Sequence, residues 1–468
     1  MASIVVAGGG MCGLAAAMML ADDGHAVTVV ERDPAAPPAD PDGATTWQRR
    51  SVAQFGLAHW LHARGTAIMR DRLPRVHQLM ATNGGKEFNL VKFFLSMQPG
   101  AEVVPDDDRF DQLTGRRSTL EWAFATAAAE HPHITVRRGE AIAGFTAGVS
   151  VLAGVPHVSG LRLDSGELFP ADLVIDATGR RSSTPQWLAD IGARPPAEDA
   201  QDSGFAYYGR YFRSADGATP AIMGPLLAPY GSFSVLTLPA DNGTWSVTLY
   251  ALAEDKPLRR FRDAAVYDRV VRACPLQAHW LDGEPITDIS SMAGVVDRHR
   301  RFVVDGRPCA TGVLSVGDAS SCTNPSLGRG ITLGLLHVEI LRSAIAEHLQ
   351  DPAELALAFD HATESAVRPW HDATTAIDRR RVQEMRAVAA GGTHEPDQSE
   401  QIALLLASAG AFDPIAARSF GEIFTCTTLA EQVFARPGVF EHIIGLAERA
   451  DVQPLPGPDR AQLLELVR

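Results

Sequence analysis

The segment Val5-Val6-Ala7-Gly8-Gly9-Gly10-Met11-Cys12-Gly13 constrains this chain more than any other. An apolar run, Ser3 to Ala7, ends in three glycines and passes into helical composition from Met11 to Ala21. Asp22-Asp23-Gly24 stops that helix, and a second apolar run, Ala26 to Val30, ends at Glu31 and Arg32. Strand, tight turn, helix and strand over about thirty residues make a βαβ unit. The glycine spacing has a physical reading. Gly8 permits the tight turn, Gly10 leaves room for a pyrophosphate against the backbone, and Gly13 lets the helix pack closely on the sheet. The helix start, with the N–H groups of Met11 and Cys12, attracts an anion. A carboxylate at Glu31 bonds both ribose hydroxyls and repels a 2′-phosphate, so the dinucleotide held here is not NADP. Cys12 could be an activated thiol at a helix start, but it reads first as a small residue packed under the turn.

Bulk properties exclude other classes. The net charge of −14 argues against wrapping nucleic acid or docking on anionic lipid. The five cysteines form no CxxC pair and no disulfide framework, which fits a reducing cytoplasm. The apolar stretch Ile4 to Leu20 carries glycines and lacks a basic start, so it is not a signal sequence. No run suits an integral membrane segment. His59 with His62, and His131 with His133, gather no acidic or thiol partners, so no metal site is expected.

Further along, Pro34 to Gly43 reads as loop, Val52 to Leu79 as mostly helix, Phe88 to Met97 as strand and Arg117 to Glu130 as helix. Val158 to Leu163 and Glu167 to Phe169 form a hairpin about Asp164-Ser165-Gly166, and Leu173 to Asp176 is a buried strand. Between about residues 200 and 295 aromatics gather in strand-like runs. Val313 to Val316 returns to a buried strand, a helix spans about Gly330 to His348, and the chain is helical beyond Pro352 apart from a loop at Ala389 to Gln398.

Two distant segments complete the pattern: Asp176-Ala177-Thr178-Gly179-Arg180-Arg181-Ser182, and Val316-Gly317-Asp318-Ala319 followed by Asn324-Pro325-Ser326-Leu327-Gly328-Arg329-Gly330. With these the chain resembles the FAD-dependent monooxygenase superfamily of aromatic hydroxylases and squalene-type epoxidases, over roughly residues 3 to 345. The resemblance implies that Asp318, on Gly317, meets the ribityl hydroxyls of FAD. It implies that Pro325, Gly328, Arg329 and Gly330 bring a helix start against the flavin ring. A helix start beside the ring stabilises the anionic reduced flavin. Arg117 matches a residue that contacts the flavin and pyrophosphate region, Asp176 and Gly179 lie in a segment that serves pyrophosphate and NAD(P)H, and Arg50, ahead of Arg49, is favoured for the FAD phosphates. The usual Asp-Gly and Gly-Asp-Ala-Ala-His are replaced here by Asp176-Ala177-Thr178-Gly179 and Gly317-Asp318-Ala319-Ser320-Ser321. Electrons then come from NAD(P)H directly or through a flavin reductase. No Trp-x-Trp-x-Ile-Pro segment of a flavin halogenase is present.

The expected fold is α/β: a Rossmann-type FAD-binding domain (residues 1–85, 106–199 and 296–350) with an inserted β-sheet substrate domain (86–105 and 200–295) and a helical C-terminal region (351–468). The expected chemistry is that of a flavin C4a-hydroperoxide formed with O2, which hydroxylates or epoxidises a hydrophobic small molecule of bacterial secondary metabolism. The sheet around Tyr208, Tyr211, Phe233 and Trp245 offers a substrate wall, and Tyr208, Arg210 and His299 are the candidates for acid or base. His59 reads as a packed histidine. Alternatives are a reductase or desaturase of the geranylgeranyl-reductase kind, and a non-redox binding protein on the same fold.

Overall fold

A computed structural model describes residues 1–49, 52, 54–450 and 454–468. Its centre is a five-stranded parallel sheet built from β1 (Ser3–Ala7), β2 (Ala26–Glu31), β3 (Ile134–Arg138), β4 (Leu173–Asp176) and β5 (Val313–Ser315), in the order β5-β4-β1-β2-β3. In β1 alternate residues serve opposite faces. Ile4 and Val6 join a core with three helices, α1 (Met11–Asp22), α2 (Arg117–Glu130) and α3 (Gly330–His348). Val5 and Ala7 face an antiparallel meander of Ile142–Ala147, Val158–Leu163 and Leu168–Pro170. Both faces are therefore dry, which is why these strands read as continuous apolar runs. The meander contains the expected hairpin, with Gly166 at φ +86°.

The inserted unit is an antiparallel sheet whose long strands are Phe205–Arg213, Phe233–Pro239 and Thr244–Leu252. Its back face bears Tyr208, Phe212, Phe233, Trp245 and Val247. These pack with Val266, Tyr267 and Val270 of the helix Ala264–Arg272 and with Leu463 near the C-terminus. Its front face bears Tyr207, Gly209, Tyr211, Ser246, Thr248 and Tyr250, which are paired across strands in register. Met292 lies on the same face, opposite Tyr207.

Residues 86–105 depart from expectation. Lys86–Asn89 pairs with Asp111–Thr114, and the run read as strand turns into a helix, Leu90–Ser96. Asn89 caps that helix by accepting from the Lys92 N–H at 2.8 Å. Val91 and Leu95 pack with Phe110 and Ala417 instead of joining the substrate sheet. The C-terminal region is helical, and Asp351, Asp397, Asp413 and Asp459 each cap a helix start. Its longest helix, α4 (Arg368–Ala389), sends Val382 and Met385 to the front face of the sheet, beside Tyr207 and Tyr250. No described helix is long and apolar enough to cross a membrane.

Candidate cofactor and active site

The glycine turn between β1 and α1 has the geometry its spacing predicts. Gly8 sits at φ +105°, and a Cβ there would lie 2.5 Å from the Ala177 carbonyl oxygen. A Cβ on Gly13 would lie 2.0 Å from the Gly8 oxygen, whereas one on Gly10 would meet nothing within 4 Å. Gly8 and Gly13 are thus fixed by packing, while Gly10 borders open space at a helix start. That start has no side-chain cap and no acidic residue in its first turn. A pyrophosphate fits there on space, charge and free N–H groups.

Behind the turn runs a buried chain of charges. Glu31 accepts from the Gly9 N–H at 2.7 Å and the Asp33 N–H at 2.8 Å. Arg49 pairs with Glu31 at 2.9 Å and with Glu121 at 2.6 Å. Glu121 pairs in turn with Arg117, one helical turn earlier, at 2.5 Å. The favoured Arg50 lies outside the described residues; Arg49 is 3% exposed. Arg32 is exposed at the strand end. Glu121 carried an available signal, since an acid four residues after an arginine on a helix pairs with it.

The second and third segments meet this turn in space, because β4 and β5 lie beside β1. Asp176 is wholly buried, and its two oxygens accept from the Thr178 N–H, the hydroxyls of Thr178, Ser182 and Thr184, and that of Ser315. With five donors already on it, Asp176 organises the 177–184 turn. Gly179 follows at φ +78° with open space beside it.

Asp318 lies where Arg117, Arg180 and Arg298 all act on it. Burial raises its pKa, and the three guanidinium groups counter that. Cys12 packs against Gly317 and Gly334, where added Cβ atoms would lie 3.0 and 2.4 Å from its sulfur. Burial, with Asp318 nearby, pushes its thiol up to about 12, so it stays protonated despite the helix start. Pro325 opens a short turn, Gly328 takes a left-handed conformation at φ +68°, and Gly330 begins α3 with nothing within 4 Å of an added Cβ. This second uncapped helix start suits an anionic ring edge. Arg329 does not join it. Its guanidinium bonds the Thr374 hydroxyl at 3.1 Å and the Ile423 carbonyl at 3.2 Å, over the Trp370 ring, on the side of the C-terminal helices.

The acid–base candidates are redistributed. Tyr208 and Arg210 lie on the back of the sheet; Tyr208 packs on Phe261, and Arg210 donates to the Thr287 carbonyl at 2.8 Å. Phe233 and Trp245 are back-face core as well, so of the proposed wall only Tyr211 faces front. His299 is buried against Glu364 at 2.6 Å and beside His371. Its neighbour Arg298 is the residue that turns toward Asp318 and the Arg180 carbonyl. His59 is held neutral, its pKa pushed by burial down to about 3, with Nδ1 2.8 Å from the Leu57 carbonyl. That same carbonyl accepts from the Tyr211 hydroxyl at 3.1 Å. Front face and glycine-rich turn meet at one further bond, Tyr207 Oη to Asn324 Oδ1, 2.8 Å. Among the described residues no cluster suits a metal ion.

Comparison with known proteins agrees with this geometry. The model of the FAD binding domain family matches residues 1–374. Protein Rv3254 of Mycobacterium tuberculosis (strain ATCC 25618 / H37Rv) is 28% identical over 383 residues, covering 78% of this chain and 77% of that protein. Two solved structures share the fold. PqsL, a probable FAD-dependent monooxygenase from Pseudomonas aeruginosa, has a TM-score of 0.59 at 15% identity, over 82% of this chain and 99% of its own. The Diels-Alderase PyrE3 of pyrroindomycin biosynthesis has a TM-score of 0.60 at 17% identity, over 91% and 81%. The chain belongs to the FAD binding domain family.

Proposed function

We propose that this protein is a monooxygenase that transfers one atom of O2 to a hydrophobic, electron-rich small molecule held between the Asn324–Gly330 turn and the front face of the antiparallel sheet. The observation that carries this reading is the Tyr207–Asn324 bond, which joins the aromatic face directly to the turn. Bound FAD supplies two electrons and the means to activate O2.

The chain's own residues do the rest. Gly10, Met11, Cys12 and Gly13 receive the pyrophosphate at the first helix start, Glu31 the ribose, and Arg117 with Asp318 the ribityl and phosphate region. Pro325, Gly328 and Gly330 bring the second helix start to the ring. Tyr207, Tyr211 and Met292 give the substrate an apolar wall and exclude water. His59, neutral and donating from Nδ1 to Leu57, leaves Nε2 as an acceptor. Epoxidation or hydroxylation of an activated ring places no larger demand on the protein. Electrons come from NAD(P)H, directly or through a flavin reductase; with Asp176 committed internally, that segment holds a nicotinamide only through Arg180 and the backbone.

The test follows flavin bleaching by NADH and by NADPH without oxygen, then product formation under ¹⁸O₂ with a panel of polycyclic aromatics and polyenes. One labelled atom per product molecule is expected. Unlabelled product formed anaerobically would replace this reading with hydride transfer.

A further inference from the structure

The Asn324–Gly330 turn is held from behind by groups that the proposed chemistry does not use. The Asp378 carboxyl, on α4, accepts from the Ser326 hydroxyl at 2.5 Å and from the Asn324 amide at 3.2 Å. A second carboxyl, Asp297, accepts from the Asn324 backbone N–H at 2.5 Å. Asn324 passes the connection forward, since its Oδ1 accepts from Tyr207. Asn324, Ser326, Asp378 and Tyr207 are all buried, at 1%, 5%, 3% and 4% exposure. Neither carboxyl forms an ion pair among the described residues. A buried carboxyl without a cation is costly unless donors satisfy it, so side chains from three separate elements converge here for a reason that packing alone does not supply.

We propose that Asp378 is a positioning residue for the flavin: through Ser326 and Asn324 it fixes the turn that meets the ring and ties that turn to Tyr207 on the substrate wall. The proposal rests on FAD lying in the crevice between the two helix starts. Asp378 touches neither ring nor substrate and acts through the turn. Its charge state would therefore reach the ring as a shift of the α3 start. The groups facing it are Asp297 from the Val296–Arg301 strand, Arg329 from the end of the turn, and Tyr207 and Tyr250 from the sheet. On its own helix, Arg379 acts on Asp297 and Arg381 on Tyr250. Burial, with Asp297 nearby, raises the carboxyl to about 7. The neutral acid is thus the form held below about that pH and the carboxylate the form above it, and Asn mimics the neutral form.

The experiment compares the FAD-loaded wild type with Asp378→Asn, Asp378→Ala and Ser326→Ala. It measures FAD affinity by fluorescence quenching, the visible spectrum from pH 5 to 9, and the two-electron midpoint potential. In the wild type a spectral transition near pH 7 is expected. Asp378→Asn should bind FAD within about threefold of wild type and lose that transition. Asp378→Ala and Ser326→Ala should shift the potential by about 30 mV or more, tenfold in the ratio of reduced to oxidised flavin. Wild-type spectra, pH profile and potential in Asp378→Asn and Ser326→Ala would overturn the proposal even if Asp378→Ala failed to fold. A wild type that takes up no FAD would instead remove the cofactor reading itself.

Discussion

At the scale of single residues, the glycine turn separates packing from function. Gly13→Ala forces a Cβ against the Gly8 oxygen and should cost about 1–3 kcal/mol or more, read by denaturant unfolding of the apoprotein. Gly10→Ala meets no protein atom, so the apoprotein should keep its stability while FAD affinity falls at least about tenfold. Arg49→Ala leaves Glu31 and Glu121 facing each other with their shared cation gone and should cost about 3–5 kcal/mol. Asp378 titrates near 4 when unfolded and near 7 when folded. Between those values the unfolded chain has released a proton that the folded chain still holds. Stability therefore falls as pH rises across that window, by up to about 1.4 kcal/mol per pH unit. Asp378→Asn should flatten this part of the stability profile. The tight turn at Gly8 and the close packing at Gly13 were legible because each follows from spacing along one short segment. The pairing of Arg49 with Glu31 and Glu121 was not, since a loop arginine carries no periodicity to mark its partners.

At the scale of elements, the antiparallel sheet shows where alternation stops being informative. Strand Phe205–Arg213 is buried along nearly its whole length, because helix Ala264–Arg272 covers its back, and Val382 and Met385 of α4, with Leu57, cover its front. With no wet face, the sequence cannot mark which aromatics look toward the cofactor. Tyr208 and Tyr207 differ by one position and by everything else. Tyr208→Phe should leave the flavin spectrum and its rate of reduction unchanged and shift stability by less than about 1 kcal/mol. Tyr207→Phe removes the donor to Asn324 and should alter the spectrum of the bound flavin. Leu90–Ser96 failed for a related reason: a short apolar, aromatic run suits strand and buried helix equally, although Asn89 as a cap was a readable sign.

At the scale of the whole molecule, the site we propose draws on residues 8–13, 31, 49, 117–121, 317–330 and 378. A ligand held by so many segments should stabilise them together. The melting temperature should rise with FAD concentration, by about 2.7 kcal/mol equivalent at a hundredfold excess over the dissociation constant. A melting curve indifferent to FAD would argue against the assembled site. The α/β class and the flavin segments could be read from motifs, but Asp378 stands 54 residues beyond Asn324 in a helix without one. Its position in the chain bears on biosynthesis. At a ribosomal pace of roughly 5–20 residues per second, the glycine turn leaves the exit tunnel some tens of seconds before the helix that buttresses the far end of the site. A nascent chain would hold the first half of a nucleotide cradle long before it could grip a ring, which makes late loading of the flavin, once that helix has emerged, the natural order of assembly.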